Sequence, residues 1–249
     1  MTLYKGDCLE VMKSIPSGSI DAIITDPPYG TTACKWDSVI DFELMWEQLN
    51  RIIKPNGAIV LFGSEPFSSA LRMSNIKNYK YDWVWHKNKG GNPMNAKINP
   101  MKQHEIISIF GTGGKVVYYP IKEQRAASGL ARVKSSPIQG GRIKDDAVYG
   151  KTNHIKKKYD ELRYPQSVQK FNVERGLHPT QKPTALMEYL IKTYTNSGEV
   201  VLDFTMGSGS TGVAAKNLNR NFIGIEKDEN YFNIATDRIN RQEKQLKIL

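Results

Sequence analysis

Residues 199–204 and 221–226 are two short apolar runs, and between them lie a glycine-rich turn and a stretch of helical spacing that starts at about Ser210. Apolar runs of this length, bounded by turn signals, read as buried strands. Two strands joined through a helix form a crossover and lie parallel. This unit constrains the fold more than anything else in the chain, because a parallel sheet must be covered on both faces. The same texture recurs near the front. Residues 19–25 and 58–62 read as buried strands, and 81–85 and 105–110 as two more. Residues 42–54 have helical spacing, with Phe42, Met45, Trp46, Leu49, Ile52 and Ile53 on one face, and Pro55-Asn56-Gly57 reads as the stop. A helix is expected over 184–194, with Leu186, Leu190 and Tyr194 along one side, and a polar-faced helix from about Glu229. The fold class expected is α/β, an open and largely parallel sheet with helices on both faces. Ligands of such sheets sit beyond the carboxyl ends of the strands.

The chain has 249 residues, enough for one domain of this kind with an insertion. Residues 1–111 and 177–249 share the α/β texture and 112–176 do not. Apolar runs vanish there, Gly129, Gly140, Gly141 and Gly150 interrupt the segment, and Lys156-Lys157-Lys158 lies inside it. The formal charge is +10, and residues 112–176 hold 14 Lys or Arg against 6 Asp or Glu. A spread-out excess would serve solubility, whereas a concentrated one favours a polyanionic partner. The division expected is a half that carries chemistry at 1–111, a basic loop-rich insertion at 112–176 and a cofactor half of the same domain at 177–249.

No run of about 18 apolar residues exists, so no spanning helix and no membrane partner are expected. The N-terminal stretch lacks the basic-then-apolar pattern of a signal peptide, which makes the cytoplasm the expected location. Cys8 and Cys34 do not form a disulfide framework, and His86, His104, His154 and His178 lack ligand spacing, so no metal is expected.

The glycine-rich turn carries the first candidate site. Gly207 and Gly209 allow a tight bend and a close backbone approach to a ligand. No lysine follows Gly212, so this is not a phosphate-cradling P-loop. Two nucleoside readings stand. Glu226 ends the next strand, where a carboxylate takes ribose hydroxyls, and that suits a nicotinamide cofactor as well as S-adenosylmethionine. Asp203 favours the second, because a carboxylate beside the turn repels a pyrophosphate and attracts a cationic amino-acid moiety. The plain alternative is that Asp203 only caps the turn.

Asp26-Pro27-Pro28-Tyr29 ends the first buried strand and carries the second candidate site. Two prolines fix φ and remove two donors, so the strand cannot continue and the chain turns rigidly. The Pro27 carbonyl and the Asp26 carboxylate become adjacent acceptors, which match the two donors of an amino group. Tyr29 offers a face on which an extruded base can stack. Hydrogen bonds from both N–H groups of an aromatic amine localise its lone pair, and orientation then supplies much of the rate of an in-line attack on a sulfonium methyl. Methylation at a base carbon would need a nucleophilic cysteine, and neither Cys8 nor Cys34 is placed as one. The alternative here is an ordinary Pro-Pro turn with an Asx cap and a surface tyrosine.

Taken together, Gly6-Asp7-Cys8-Leu9, Asp26 to Tyr29, the run from His178 to Pro183, Asp203 to Thr211 and Glu226 resemble the amino-group DNA methyltransferases of the β arrangement. In that family the catalytic motif precedes the target-recognition region and the cofactor motif comes last. The resemblance implies a Rossmann-like fold that binds S-adenosylmethionine. It implies catalytic roles for Asp26, Pro27, Pro28 and Tyr29. It assigns the cofactor site to Asp7, Cys8, Asp26, Pro179, Thr180, Lys182, Asp203, Phe204, Gly207, Ser208, Gly209, Ser210, Thr211 and Glu226. Asp7 would meet the cofactor's adenine, and the stretch around Pro179 its methionine part, with the helix after Pro183 receiving the carboxylate. The family often has an aromatic residue two positions after the turn aspartate, where this chain has Thr205 beside Phe204. Residues 112–176 would recognise the target.

In this arrangement an aspartate at the catalytic motif usually accompanies adenine, and a serine cytosine. The resemblance therefore implies a site-specific methyltransferase for adenine N6 in double-stranded DNA, acting on a flipped base and of the restriction–modification kind, with or without a partner nuclease. The alternatives are cytosine N4, an RNA substrate, a non-catalytic DNA-binding protein or a nicotinamide oxidoreductase. Because family members often dimerise, a homodimer is a further implication. Lys156, Lys157 and Lys158 are expected at phosphates. Lys89 is expected in a DNA-contacting loop, 89–92, that could equally be an ordinary hairpin. Trp83, Trp85, His86, Lys87 and Asn88 either border the base pocket or pack within the sheet.

Overall fold

In the computed structural model, residues 1–31, 37–91, 93–135, 144–146, 150–152, 161–174, 176 and 180–246 are described. From the N-terminus come β1 (Thr2–Lys5), α1 (Cys8–Met12), β2 (Ile20–Thr25), α2 (Phe42–Ile52), β3 (Ile53–Gly63), α3 (Phe67–Ser74), β4 (Tyr79–Gly91) and β5 (Lys102–Phe110). Short pieces follow: β6 (Glu123–Gln124), α4 (Ala127–Ser135), β7 (Lys144–Asp146), β8 (Gly150–Thr152) and β9 (Leu162–Arg163). The regular alternation returns with β10 (Val168–Phe171), α5 (Thr184–Tyr194), β11 (Val200–Asp203), α6 (Ser210–Asn217), β12 (Asn221–Glu226) and α7 (Glu229–Leu246).

Eight strands form one sheet in the order β1-β12-β11-β2-β3-β5-β4-β10. β5 runs antiparallel to both of its neighbours, and every other adjacent pair is parallel. Alternation within the strands sends side chains to two cores. Ala22, Ile24, Ala58, Val60, Phe62 and Val201 pack with Leu186, Leu190, Tyr194 and Ile239 of α5 and α7. Ile20, Ile23, Ile59, Leu61 and Leu202 pack with Met12, Met45, Leu49 and Leu71 of α1, α2 and α3. The sheet is thus sandwiched as a parallel sheet requires.

The structure departs from the sequence reading at several elements. Pro55-Asn56-Gly57 does not separate a helix from a strand; α2 already ends at Ile52, and β3 passes through all three residues. Pairing skips from Ile20↔Ile53 to Ala22↔Ala58, an irregularity that absorbs Pro55, which has no N–H, and Asn56, whose φ is 64°. β4 and β5 extend beyond 81–85 and 105–110 because their polar ends pair as an arm, with Gly91 opposite Lys102. β10 is an edge strand beside β4, formed by a segment without an apolar run. An edge strand needs no continuous apolar run, which is why that texture did not mark it.

The chain divides into two compact units, residues 1–119 with 167–249, and residues 120–166. In the smaller unit β6 pairs with β9, an Arg163–Glu123 ion pair of 3.2 Å ties the two together, and β7 pairs with β8.

Candidate active site

β11 and β2 are neighbours, and both end at the same edge of the sheet. The crossover from β11 leads to β12 on one side, and that from β2 to β3 on the other. Such a reversal opens a crevice at the strand ends. After β11 the chain bends through Gly207, φ 51°, and Gly209, φ 79°, which is the N-cap of α6. Both angles lie in the left-handed region open to glycine. A side chain at Gly209 would also be crowded, since a Cβ there would stand 3.0 Å from that of Ala235.

The two strand ends are joined by hydrogen bonds. Thr25 donates its hydroxyl to Asp203 Oδ1, and Thr211 donates to Oδ2 at 2.5 Å. The Thr205 hydroxyl donates to the Asp26 carbonyl at 3.1 Å. Asp26 to Tyr29 and the turn from Asp203 to Ser208 therefore line one cavity of about 440 Å³, together with Asp7, Cys8, Thr180, Lys182, Ser210, Thr211 and Glu226. The bend at Asp26 and the glycine-rich turn, far apart in the chain, thus face the same space. Gly209 supports the turn from behind and does not line the cavity. Pro179, His178, Cys34 and Lys156 to Lys158 lie outside the described residues. Lys89 is exposed near the end of β4 and away from the cavity lining.

Asp203 is 4% exposed and, among the described residues, receives only neutral donors. Burial pushes its carboxyl up to about 6, against the pull of Thr211 and Thr25. A buried carboxylate without a cation suits a ligand that brings one, such as an α-ammonium group. Burial likewise raises the Glu226 carboxyl, whose oxygens accept from Gly207 N at 2.9 Å and Asp228 N at 2.8 Å. Asp7 caps α1 through Leu9 N at 3.0 Å and faces Lys227 at 3.1 Å. Burial pushes the Cys8 thiol up to about 11, so it is no nucleophile near neutral pH.

At the bend, the Tyr29 hydroxyl donates to Asp26 Oδ1, and its ring stacks on Phe67 at 4.9 Å. Asp37 holds the following loop by accepting from Tyr29 N at 2.8 Å, Gly30 N at 2.9 Å and Thr31 N at 2.9 Å. Lys182, 7% exposed, donates to Asp26 Oδ2 and lies 3.3 Å from Glu105. Lys87 pairs with the other Glu105 oxygen. β5 runs against its neighbours, so its N-terminal part brings Glu105 to the edge where the other strands end. The side chains of Trp83 and Trp85 belong to the core, donating to the Tyr194 hydroxyl at 2.7 Å and the Phe171 carbonyl at 2.9 Å. Asn88 accepts from Val173 N at 3.0 Å, another sheet contact.

Sequence reasoning missed Thr25, Asp37 and Glu105. A hydroxyl residue just before Asp26 was the available signal for Thr25, and an acid soon after a glycine the signal for Asp37. Nothing local marks Glu105, a lone acid at the front of a strand.

A cationic amino-acid group beside Asp203 and ribose hydroxyls beside Glu226 together fit S-adenosylmethionine, and the fold is that of the methyltransferases that depend on it. The chain belongs to the N6/N4 DNA methylase family, whose model matches residues 20–237. The Type II methyltransferase M.HpaI of Haemophilus parainfluenzae is 27% identical over 96% of this chain and 74% of its own length. The Type II methyltransferase M.HinfI of Haemophilus influenzae is 27% identical over 96% of this chain and 68% of its own. The crystal structure of the M1.HpyAVI complex with S-adenosylmethionine superposes with a TM-score of 0.64 at 29% identity, covering 96% of this chain and 98% of that one. The protein is accordingly an S-adenosylmethionine-dependent DNA methyltransferase. Among the described residues no cluster of acids, histidines or cysteines suits a metal, and no helix is long and apolar enough to cross a membrane.

Proposed function

We propose that the protein methylates the N6 amino group of adenine at a specific site in double-stranded DNA, and that Asp26 and Pro27 hold the amine of a flipped base. One observation carries the reading: the Asp26 bend and the Asp203–Ser208 turn face a single cavity and are hydrogen-bonded to each other through Thr205. Bound S-adenosylmethionine supplies a methyl group on a sulfonium, open to attack by a nitrogen lone pair. Asp203 holds the cofactor's ammonium, Glu226 its ribose hydroxyls and Asp7 the amino group of its adenine ring. Thr180 would lie along the methionine part, and Phe204, Ser208, Ser210 and Thr211 would close the turn side. Asp26 and the Pro27 carbonyl each take one N–H of the target amine, which orients its lone pair. Tyr29 steadies the Asp26 carboxylate through its hydroxyl and lends its ring to the base. Pro28 keeps the bend rigid.

Adenine rather than cytosine rests on the aspartate of this bend, in keeping with the family preference. The basic segment 112–176 is the proposed target-recognition region, with Lys89 and Lys156 to Lys158 at DNA phosphates. A place in restriction–modification accords with the Type II relatives, and a cytoplasmic homodimer is part of the same proposal. Digesting the modified DNA to nucleosides tests the reading: N6-methyldeoxyadenosine is expected, and N4-methyldeoxycytidine would redirect it. Asp26→Ala is expected to cut kcat by about 10³-fold or more, with cofactor affinity within about 3-fold by calorimetry. Wild-type turnover in that variant would refute the role of Asp26.

A further inference from the structure

Both carboxylate oxygens of Asp26 are engaged. The Tyr29 hydroxyl donates to Oδ1 and the Lys182 ammonium to Oδ2. An incoming amino group must therefore compete with an ammonium, which makes the stronger hydrogen bond. Displacing that ammonium into surroundings without an acceptor would strand a buried charge. Lys182 has a second acceptor at hand. Glu105 Oε2 is buried, accepts no hydrogen bond from any described residue, and lies 3.3 Å from Lys182 Nζ. Lys87 grips the other oxygen of Glu105 and itself stands 4.7 Å over the Trp85 ring. The Glu105 carboxylate is thus anchored on one side and leaves Oε2 toward Lys182.

We propose that Lys182 is a two-position counter-ion, neutralising Asp26 in the free enzyme and moving onto Glu105 Oε2 when the base amine takes its place on Asp26. Glu105 is then a positioning residue for the reaction. The inference rests on the reading of Asp26 as the acceptor for that amine. The move is short, and the rings of Phe62 and Tyr29, 5.1 Å and 6.0 Å from Nζ, flank the cation without competing as hydrogen-bond acceptors. Burial raises the Asp26 carboxyl, whereas at Glu105 burial is outweighed by Lys182 and Lys87 and the carboxyl is lowered. With Lys182 on Glu105, Asp26 Oδ2 is left open to accept from the amine.

Glu105→Gln tests the move, because it keeps the shape and removes the receiving charge. We expect kcat to fall about 30-fold or more, with the Kd for S-adenosylmethionine within about 3-fold. Adding Lys182→Met removes the ammonium that then has nowhere to go, and kcat should rise about 5-fold or more above Glu105→Gln alone. A purely structural role for Glu105 predicts a further fall instead. Wild-type turnover in Glu105→Gln, or a double variant no faster than the single one, overturns the proposal. Should the variants fail to fold, the wild-type enzyme crystallised with S-adenosylhomocysteine and a duplex carrying its methylation site decides. Lys182 on Glu105 Oε2 supports the move, and Lys182 still on Asp26 Oδ2 refutes it. Product nucleosides from the wild-type enzyme test the functional reading separately. Normal methylation alongside an unaffected Glu105→Gln variant sinks only the counter-ion.

Discussion

Asp203 is more costly to ionise in the folded chain than in the unfolded one, since burial pushes its carboxyl from an ordinary 3.8 to about 6. The stability it contributes is greatest when it is protonated, below 3.8, and is lost as pH rises through about 6. Cofactor binding runs the other way, because an ammonium ligand needs the ionised form. Calorimetry between pH 5 and 8 should find affinity for S-adenosylmethionine weakening below about pH 6, approaching tenfold per unit, and Asp203→Asn should flatten that dependence. Asp37 carries a different load. Asp37→Ala removes the acceptor for the three backbone N–H groups of Tyr29, Gly30 and Thr31. Urea unfolding should show a loss of about 1–3 kcal/mol, and kcat should drop with the slackened bend.

The turn between β11 and α6 depends on Gly209, where a φ of 79° and a 3.0 Å approach to Ala235 would strain and crowd a methyl group. Gly209→Ala should cost about 1–3 kcal/mol by thermal or urea unfolding and weaken cofactor binding, since the whole turn must shift. Elements such as this one were legible in the sequence because burial on both faces writes a continuous apolar run, as in 199–204 and 221–226. α5 was legible through Leu186, Leu190 and Tyr194, which all face one core. β1 and β10 were not, because a strand at the rim of the sheet needs no such run. β3 was half legible, its irregular start hidden behind Pro55 and Gly57. The candidate site divides in the same way. Asp26, Tyr29, Asp203 and Gly207 stand in contiguous motifs, whereas Glu105 joins Lys182 only because β5 reverses direction, a property of topology and not of local spacing.

The positive charge of the whole molecule is concentrated in 112–176, and Lys156, Lys157 and Lys158 stand within that span. Replacing all three with Gln should weaken DNA binding and reduce the slope of log affinity against log salt by roughly 2–3, as counted by lost phosphate contacts. An unchanged slope would remove them from the DNA interface. The larger unit is assembled from both sides of residues 120–166, and its hydrogen bond from Thr205 to Asp26 links residues 179 positions apart. During synthesis at about 5–20 residues per second, β2 therefore waits roughly 10–35 s for β11 to emerge beside it. Until then the catalytic bend exists without the turn that faces it. A chain cut short before β11 lacks the wall of the cavity that runs from Asp203 to Ser208, so such a fragment is expected to transfer no methyl group.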